Sequence, residues 1–301
     1  MSTPDAAKLC DIAVSVARET GEMLASRAGR VEVAATKSSP TDVVTEMDRR
    51  AEALIRSRIL AERPDDAILG EEEGQTGDTA GAPVRWVVDP LDGTVNYLYG
   101  LSDWAVSIAA EVGWVEGGEV GGEAGAAEGG EVGGAEGGEA GRKIVAGAVF
   151  VPVRGEMFSA FAGGGAWLVA AGGATARLRC GPGVPLRQAL VGTGFGYLPA
   201  RRRVQGEVVA ALLPRLRDIR RIGVASVDLC AVAAGRLDGF YERGLNYRDW
   251  AAGALIASEA GAVVGGLRGA ALSSSMAVAA GPALFAPLTE ALAALDPERD
   301  A

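Results

Sequence analysis

The sequence predicts a layered α/β protein, with an α+β N-terminal half over residues 1–185 and an α/β C-terminal half over 186–301. Three observations lead there. Two amphipathic helical segments open the chain. Short apolar strand candidates follow between residues 67 and 163, and from residue 189 strands alternate with helical segments. Gly181, Pro182, Gly183 and Pro185 mark the seam between the halves.

In the first half, residues 5–28 repeat apolar side chains every three to four positions (Leu9, Ile12, Val16, Met23, Leu24), which predicts a helix. The polar loop TKSSPTD (36–42) separates it from a second helix over about 42–62. That helix has the stripe Val44, Met47, Ala51, Leu54, Ile55 and Ile59, and Pro64 as its stop. AILG (67–70) predicts a strand leading into the acid run GEEEG, and RWVVDP (85–90) and WAVSIAAEV (104–112) predict two more. AGAVFVP (146–152) and GEMFSAFAG (155–163) predict a hairpin on the turn Pro-Val-Arg-Gly.

In the second half, ALVGTGFG (189–196) predicts a strand, then a basic helix runs over about 201–217. ASVDLCAVAAG (225–235) predicts a helix, GFYER (239–243) a strand, and DWAAGALIASEAGA (249–262) a helix. AVVGG (262–266) and MAVAAG (276–281) predict strands, and PALFAPLTEALAAL (282–295) a closing helix.

Residues 116–141 interrupt this pattern. They hold twelve glycines, seven glutamates and, as sizeable apolar residues, two valines. Such a segment cannot offset its ordering entropy by burial, so it is expected to be a disordered insertion in a hairpin loop. An acidic cation-binding or interaction segment is the alternative.

Composition excludes several function classes. The chain contains no histidine, which removes Ser-His-Asp triads, Cys-His pairs, histidine-ligated zinc and an imidazole base. Removing the seven glutamates of the insert from the net charge of −10 leaves about −3, so the charge implies no acidic partner surface. Nothing suggests a basic nucleic-acid footprint. Cys10, Cys180 and Cys230 are far apart and lack C-x-x-C spacing, as expected of reduced thiols in a cytoplasmic protein. The N-terminal residues are charged throughout, unlike a signal peptide, and no apolar run approaches the ~20 residues of a membrane span.

Five separated carboxylates stand beside strand ends or helix starts: Asp48, Glu71, Asp89, Asp92 and Asp249. In WVVDPLDGTVN (86–96), Pro90 holds Asp89 extended, and Gly93 permits a tight bend after Asp92. Both acids and the Leu91 carbonyl can then converge on one side. Oxygen-only donors of this kind suit magnesium. The same residues also admit plainer roles. DPLD could be a polar turn, Asp249 a helix N-cap, and Glu71 part of a solvated acidic turn. Asp48 could be an exposed helix residue, Lys37 a solvent-facing loop residue, and Glu242 a strand-end surface acid.

The string VVDPLDGTVNY resembles the D-P-[LI]-D-G-T signature of the inositol monophosphatase family, within the magnesium-dependent, lithium-sensitive phosphatases that include fructose bisphosphatases. KSSPTDVVTEMD (37–48) resembles the family's mobile loop and following helix, and LGEEEG (69–74) its G-E-E motif. RDWAAGALIASEAGA (248–262) resembles its second signature. The motifs fall in the family's order and cover the chain apart from the insert.

The resemblance implies an αβαβα sandwich and a phosphomonoesterase acting on a small phosphorylated polyol. Inositol 1-phosphate is the first expectation. Histidinol phosphate, fructose 1,6-bisphosphate and 3′-phosphoadenosine phosphates are alternatives, as is a non-catalytic binding protein. It implies one magnesium on Glu71, Asp89 and the Leu91 carbonyl, a second on Asp89, Asp92 and Asp249, and a third, weaker ion near Glu71. It further implies that Asp48 bonds Thr94, which orients the attacking water. Gly93 and Thr94 would receive the phosphate at a helix start, Lys37 would help close the site, and Glu242 would contact substrate hydroxyls. Lithium inhibition and a homodimer are expected on the same footing. The chain departs from the family at Arg248, Asn246, Val224 and Leu198, all near the substrate-facing half.

Overall fold

A computed structural model describes residues 4–28, 33–36, 43–77, 81–113 and 142–299, with the backbone alone over 33–36 and 43–45. Lys37 and the Glu/Gly segment 116–141 lie outside the described residues. The chain opens with α1 (Ala6–Ala25), β1 (Val33–Thr36), β2 (Val43–Thr45) and α2 (Glu46–Glu62). Next come β3 (Ala67–Leu69), β4 (Gln75–Thr76), β5 (Val84–Asp92), α3 (Thr94–Leu98) and β6 (Ala105–Gly113). Four further strands follow: β7 (Arg142–Val151), β8 (Glu156–Phe161), β9 (Gly165–Val169) and β10 (Thr175–Arg177). Then come β11 (Leu190–Thr193), α4 (Pro199–Leu212), β12 (Asp218–Arg220) and α5 (Ala225–Ala233). The last elements are β13 (Gly239–Glu242), α6 (Tyr247–Glu259), β14 (Val263–Gly265), β15 (Ala277–Ala280) and α7 (Pro282–Ala293).

Among the described residues these elements stack as α-β-α-β-α layers. An eight-stranded sheet has the order β10-β9-β8-β7-β6-β5-β3-β4, and a five-stranded sheet the order β12-β11-β13-β15-β14. Helices α1 and α2 cover one face of the large sheet, burying Leu9, Val16, Leu24, Ile55 and Ile59 against Trp86 and Val88. Helices α5 and α6 fill the space between the sheets, and α4 and α7 cover the outer face of the small one. A helix with apolar residues on every side belongs in such a central layer. Both α5 and α6 fit: every residue of α5 is buried, as is Trp250–Ala257 of α6.

Close approach places α6 accurately. A Cβ at Gly147 of β7 would come within 3.1 Å of the Ala252 Cα, and one at Gly253 within 2.9 Å of Leu229 on α5. The helix is also tied by a buried ion network. Arg85 of β5 and Glu111 of β6, 1% and 0% exposed, pair across the sheet, and the Tyr247 hydroxyl of α6 donates to Glu111 Oε2 at 2.5 Å.

Several elements differ from their predicted bounds. The second helix starts at Glu46, not near 42, and Val44 lies in β2. Val43, Val44 and Thr45 are three β-branched residues in succession, better suited to the pairing with β1 that they make. The basic helix runs Pro199–Leu212 because Pro214 turns the chain, and Asp218–Arg220 then forms an edge strand. Strands β9 and β10 went unpredicted. They sit at the sheet edge between glycine-rich turns, and β10 is fully exposed, so no alternation marks it.

Replacing Glu111 by alanine leaves Arg85 buried without its carboxylate, an expected loss of about 3–5 kcal/mol in denaturant unfolding. A loss below about 1 kcal/mol would show that the pair does not anchor α6.

Candidate active site

Strand β5 carries the first two acids. Its register against β6 slips between Asp89–Ser107 and Asp92–Ala105, a bulge at Pro90 and Leu91 where proline has no N–H to give. The predicted bend after the strand is therefore a bulge inside it. It re-aims the chain so that Asp89, Leu91 and Asp92 all line one cleft. Gly93 follows at φ 91°, a left-handed conformation, and a Cβ there would also meet Val224 at 2.7 Å.

Two other segments bring the remaining acids. Glu71 leads the acid turn after β3. Buried Glu52 of α2 fixes that turn by accepting the backbone N–H groups of Glu72 at 2.6 Å and Glu73 at 3.0 Å while paired with Arg56. Asp249 comes from the first turn of α6. It does not begin that helix, as the alternative role required: Asn246 is the N-cap, and Asp249 Oδ2 accepts the Asn246 N–H at 2.6 Å. Asp92 Oδ2 is held by Ser226 of α5, through its N–H at 2.9 Å and its hydroxyl at 2.6 Å.

Glu71, Asp89, Leu91, Asp92, Gly93, Thr94, Glu242 and Asp249 all line the same cleft, of 480 Å³. Asp48 is fully buried behind it, and Thr94 Oγ1 lies 3.1 Å from both Asp48 Oδ1 and the Leu91 carbonyl. Every predicted site residue except Lys37, which lies outside the described residues, is thus brought to one place.

The acids feel one another. Burial first, then the charges of Glu71, Asp92 and Asp249, raise the Asp89 pKa well above the usual carboxylate range. Burial and Asp249 push Asp92 up to about 7, against the pull of the Ser226 hydrogen bonds. Burial raises Asp249 to about 6, although Arg248 and the Asn246 N–H lower it. Glu242 is raised by burial, then by Asp228 and Asp249.

Arg248 supplies positive charge among them: Nη2 sits 3.1 Å from Glu71 Oε1, and Nε 3.8 Å from Asp249 Oδ1. Burial lowers its pKa, but Glu71, Asp249 and Asp89 outweigh that and hold it above its ordinary value. Its guanidinium is therefore engaged with the acids themselves.

Apart from the Arg248 guanidinium, which is itself a cation, the groups able to ligate a metal in this corner are carboxylates and one carbonyl, a donor set for a hard divalent cation rather than a soft one. Among the described residues no three acidic side chains are already drawn in to the spacing of metal ligands. The donor chemistry and the mutual repulsion fit magnesium, and the spacing requires the side chains to close on it.

The sequence profile of the inositol monophosphatase family matches residues 5–121 and 139–296. The chain belongs to the inositol monophosphatase family. Its members are phosphoric monoester hydrolases. It is similar to the inositol-1-monophosphatase of Mycobacterium bovis, at 45% identity over 243 residues, 79% of this chain and 74% of that protein. The solved structure of Mycobacterium tuberculosis SuhB aligns with a TM-score of 0.73 at 38% identity, covering 98% of this chain and 99% of that one. The Nus factor SuhB of Vibrio cholerae is 34% identical over 261 residues, 85% of this chain and 84% of that protein. The inositol monophosphatase signatures thus fall on the elements that form this cleft.

Glu52, Ser226 and Asp228 escaped sequence reasoning. Glu52 carried a signal, a charge four residues before Arg56 on the inward face of α2. Ser226 lies in GVASVD, but nothing local shows that its partner is 134 residues away. Asp228 is fully buried, among the described residues neither of its carboxylate oxygens has a hydrogen bond, and burial followed by Asp92 raises its pKa.

A stability test follows from Asp92. A carboxyl whose folded pKa is raised costs the fold nothing below its unfolded pKa near 4. The cost grows as pH rises and is complete above about 7. In excess EDTA at pH 8, Asp92→Asn should therefore melt above wild type, and the gap should shrink as pH falls toward 4. A lower melting point at pH 8 would mean that Asp92 is not repelled by its neighbours.

Proposed function

We propose that this chain is a magnesium-dependent phosphomonoesterase of small polyol phosphates, with myo-inositol 1-phosphate as the first substrate to test. Histidinol phosphate, fructose 1,6-bisphosphate and 3′-phosphoadenosine phosphates are the alternatives. The observation that carries this is the meeting of Glu71, Asp89, the Leu91 carbonyl, Asp92 and Asp249, from three separate segments, in one cleft beside the Thr94–Asp48 pair. Glu71, Asp89 and the Leu91 carbonyl would hold one ion, and Asp89, Asp92 and Asp249 another, with a weaker third near Glu71. Bound magnesium supplies neutralisation of the ester's charge and a lowered pKa for water.

The chain's own groups supply the rest. The single proton of Thr94 Oγ1 goes to either Asp48 or Leu91, which leaves a lone pair to accept a proton from the attacking water. Asp48 takes the threonine proton in turn, so a hydroxyl and a carboxylate do the work of an imidazole in a chain without histidine. Helix α3 has only five residues, so its N–H groups at Gly93 and Thr94 orient phosphate oxygens with little help from a macrodipole. Glu242 would accept from substrate hydroxyls, and Lys37 would help close the cleft. Lithium inhibition, a cytoplasmic homodimer and two cooperating halves divided near residue 185 belong to the same proposal.

The test is phosphate release across the four substrate types with and without magnesium, in wild type, Glu71→Gln and Asp92→Asn. Each variant should lose at least 100-fold in kcat/KM while keeping the wild-type far-UV spectrum. Turnover within threefold of wild type in either variant would refute the metal assignment. The Vibrio cholerae relative's name, Nus factor, motivates a second reading, a binding role that needs no hydrolysis. Wild type that releases no phosphate from any ester would favour it.

A further inference from the structure

The cleft is lined by basic residues that the acids leave unused. Arg201, in the first turn of α4, and Arg221, just after β12, both line it. Among the described residues neither guanidinium makes an ion pair or a hydrogen bond. The Phe195 ring lies 6.0 Å from the Arg221 Cζ, and the Arg221 charge reaches the buried carboxyls of Asp228 and Glu242 only through space, without a direct contact. The third arginine of the cleft, Arg248, is occupied by Glu71 and Asp249 and is not available in the same way.

Both free guanidiniums lie over bare backbone. Gly244 has φ 93°, and a Cβ there would come within 2.2 Å of Arg201 Nη1. Gly223 has φ 83°, and a Cβ there would come within 2.4 Å of Arg221 Nη1. A side chain at either position would push the arginine out. Phe195 and the half-exposed Tyr197 and Leu198 add an apolar wall beside them.

Arginine is the side chain best matched to a phosphate, through paired N–H donors in a fixed fork. A neutral polyol offers these two no counter-charge. The scissile phosphate cannot fill the role if it sits at the metal-binding acids. On the footing of the phosphatase function proposed above, we infer that Arg201 and Arg221 form a subsite for a second phosphate on the substrate. Esters with two phosphates are then preferred over monophosphates of neutral polyols, and the preference appears mainly in KM.

Two measurements test this. In excess EDTA the four acids repel anions, so a sugar or nucleoside monophosphate can bind only at the arginines. Calorimetry with fructose 6-phosphate, adenosine 5′-phosphate and, as a neutral control, inositol should show binding of at least one phosphate. Arg201→Gln plus Arg221→Gln should weaken it at least tenfold, with each single variant intermediate and melting points unchanged. Which phosphate binds separates a sugar from a nucleotide source.

With magnesium, the ratio of kcat/KM for the matching bisphosphate to that for inositol 1-phosphate should fall at least tenfold in the double variant. Equal binding by wild type and double variant, no binding by wild type, or an unchanged ratio would each overturn the subsite. Arginine-dependent binding without any ester hydrolysis would keep the subsite and refute the phosphatase instead.

Discussion

Like-charge repulsion is the constraint around which this molecule is arranged. Glu71, Asp89, Asp92 and Asp249 face one cleft, and burial plus their mutual field raises the pKa values of the three aspartates. Left to themselves, four carboxylates would separate or protonate. What holds them is a set of donors and backbone ties coming from behind: Ser226 on Asp92, the Asn246 N–H on Asp249, the Leu91 N–H on Asp89, and Arg248 between Glu71 and Asp249. Of these only Arg248 carries positive charge, and one guanidinium offsets only part of the charge of four carboxylates. A divalent cation would offset more, and the stored repulsion is the reason such a site favours one.

The layered architecture makes that gathering possible. Asp89 and Asp92 come from the large sheet, and Asp249 comes from the helical layer between the sheets. Ser226 starts the second helix of that layer. Gly147 and Gly253 let α6 approach β7 and α5 more closely than any side chain would allow. The Arg85–Glu111–Tyr247 network ties the same helix to the strands that carry the aspartates. Packing and catalysis therefore share their supports, and a change behind the cleft moves the acids as surely as one within it.

The cleft also has a divided character. One part is acidic and suited to cations, while Arg201 and Arg221 bring to the same space positive charge that makes no ion pair among the described residues. An ester with one anionic group uses only part of that surface. Between β6 and β7 the last register pair is Gly113 with Arg142, so the strands meet whatever length of chain joins them. Loop closure costs grow slowly with length, which explains how a 26-residue Glu/Gly stretch is carried without loss of the sheet.

By itself the sequence determined most of the order of helices and strands, the absence of imidazole chemistry, and the set of candidate oxygen donors. Each is a local property: periodicity, composition, or a short string such as DPLDGT. Only the tertiary structure decided which acids share a space, because that depends on contacts between residues as distant as Asp92 and Ser226. It alone revealed that Glu52 is a buried brace for the Glu71 turn and that Asp249 lies inside its helix rather than capping it. It also separated the engaged arginine from the free ones. A guanidinium reads the same in sequence whether a carboxylate lies 3.1 Å from it, as for Arg248, or none of the described residues pairs with it, as for Arg201. Pairing is a matter of distance through space, which local sequence does not encode.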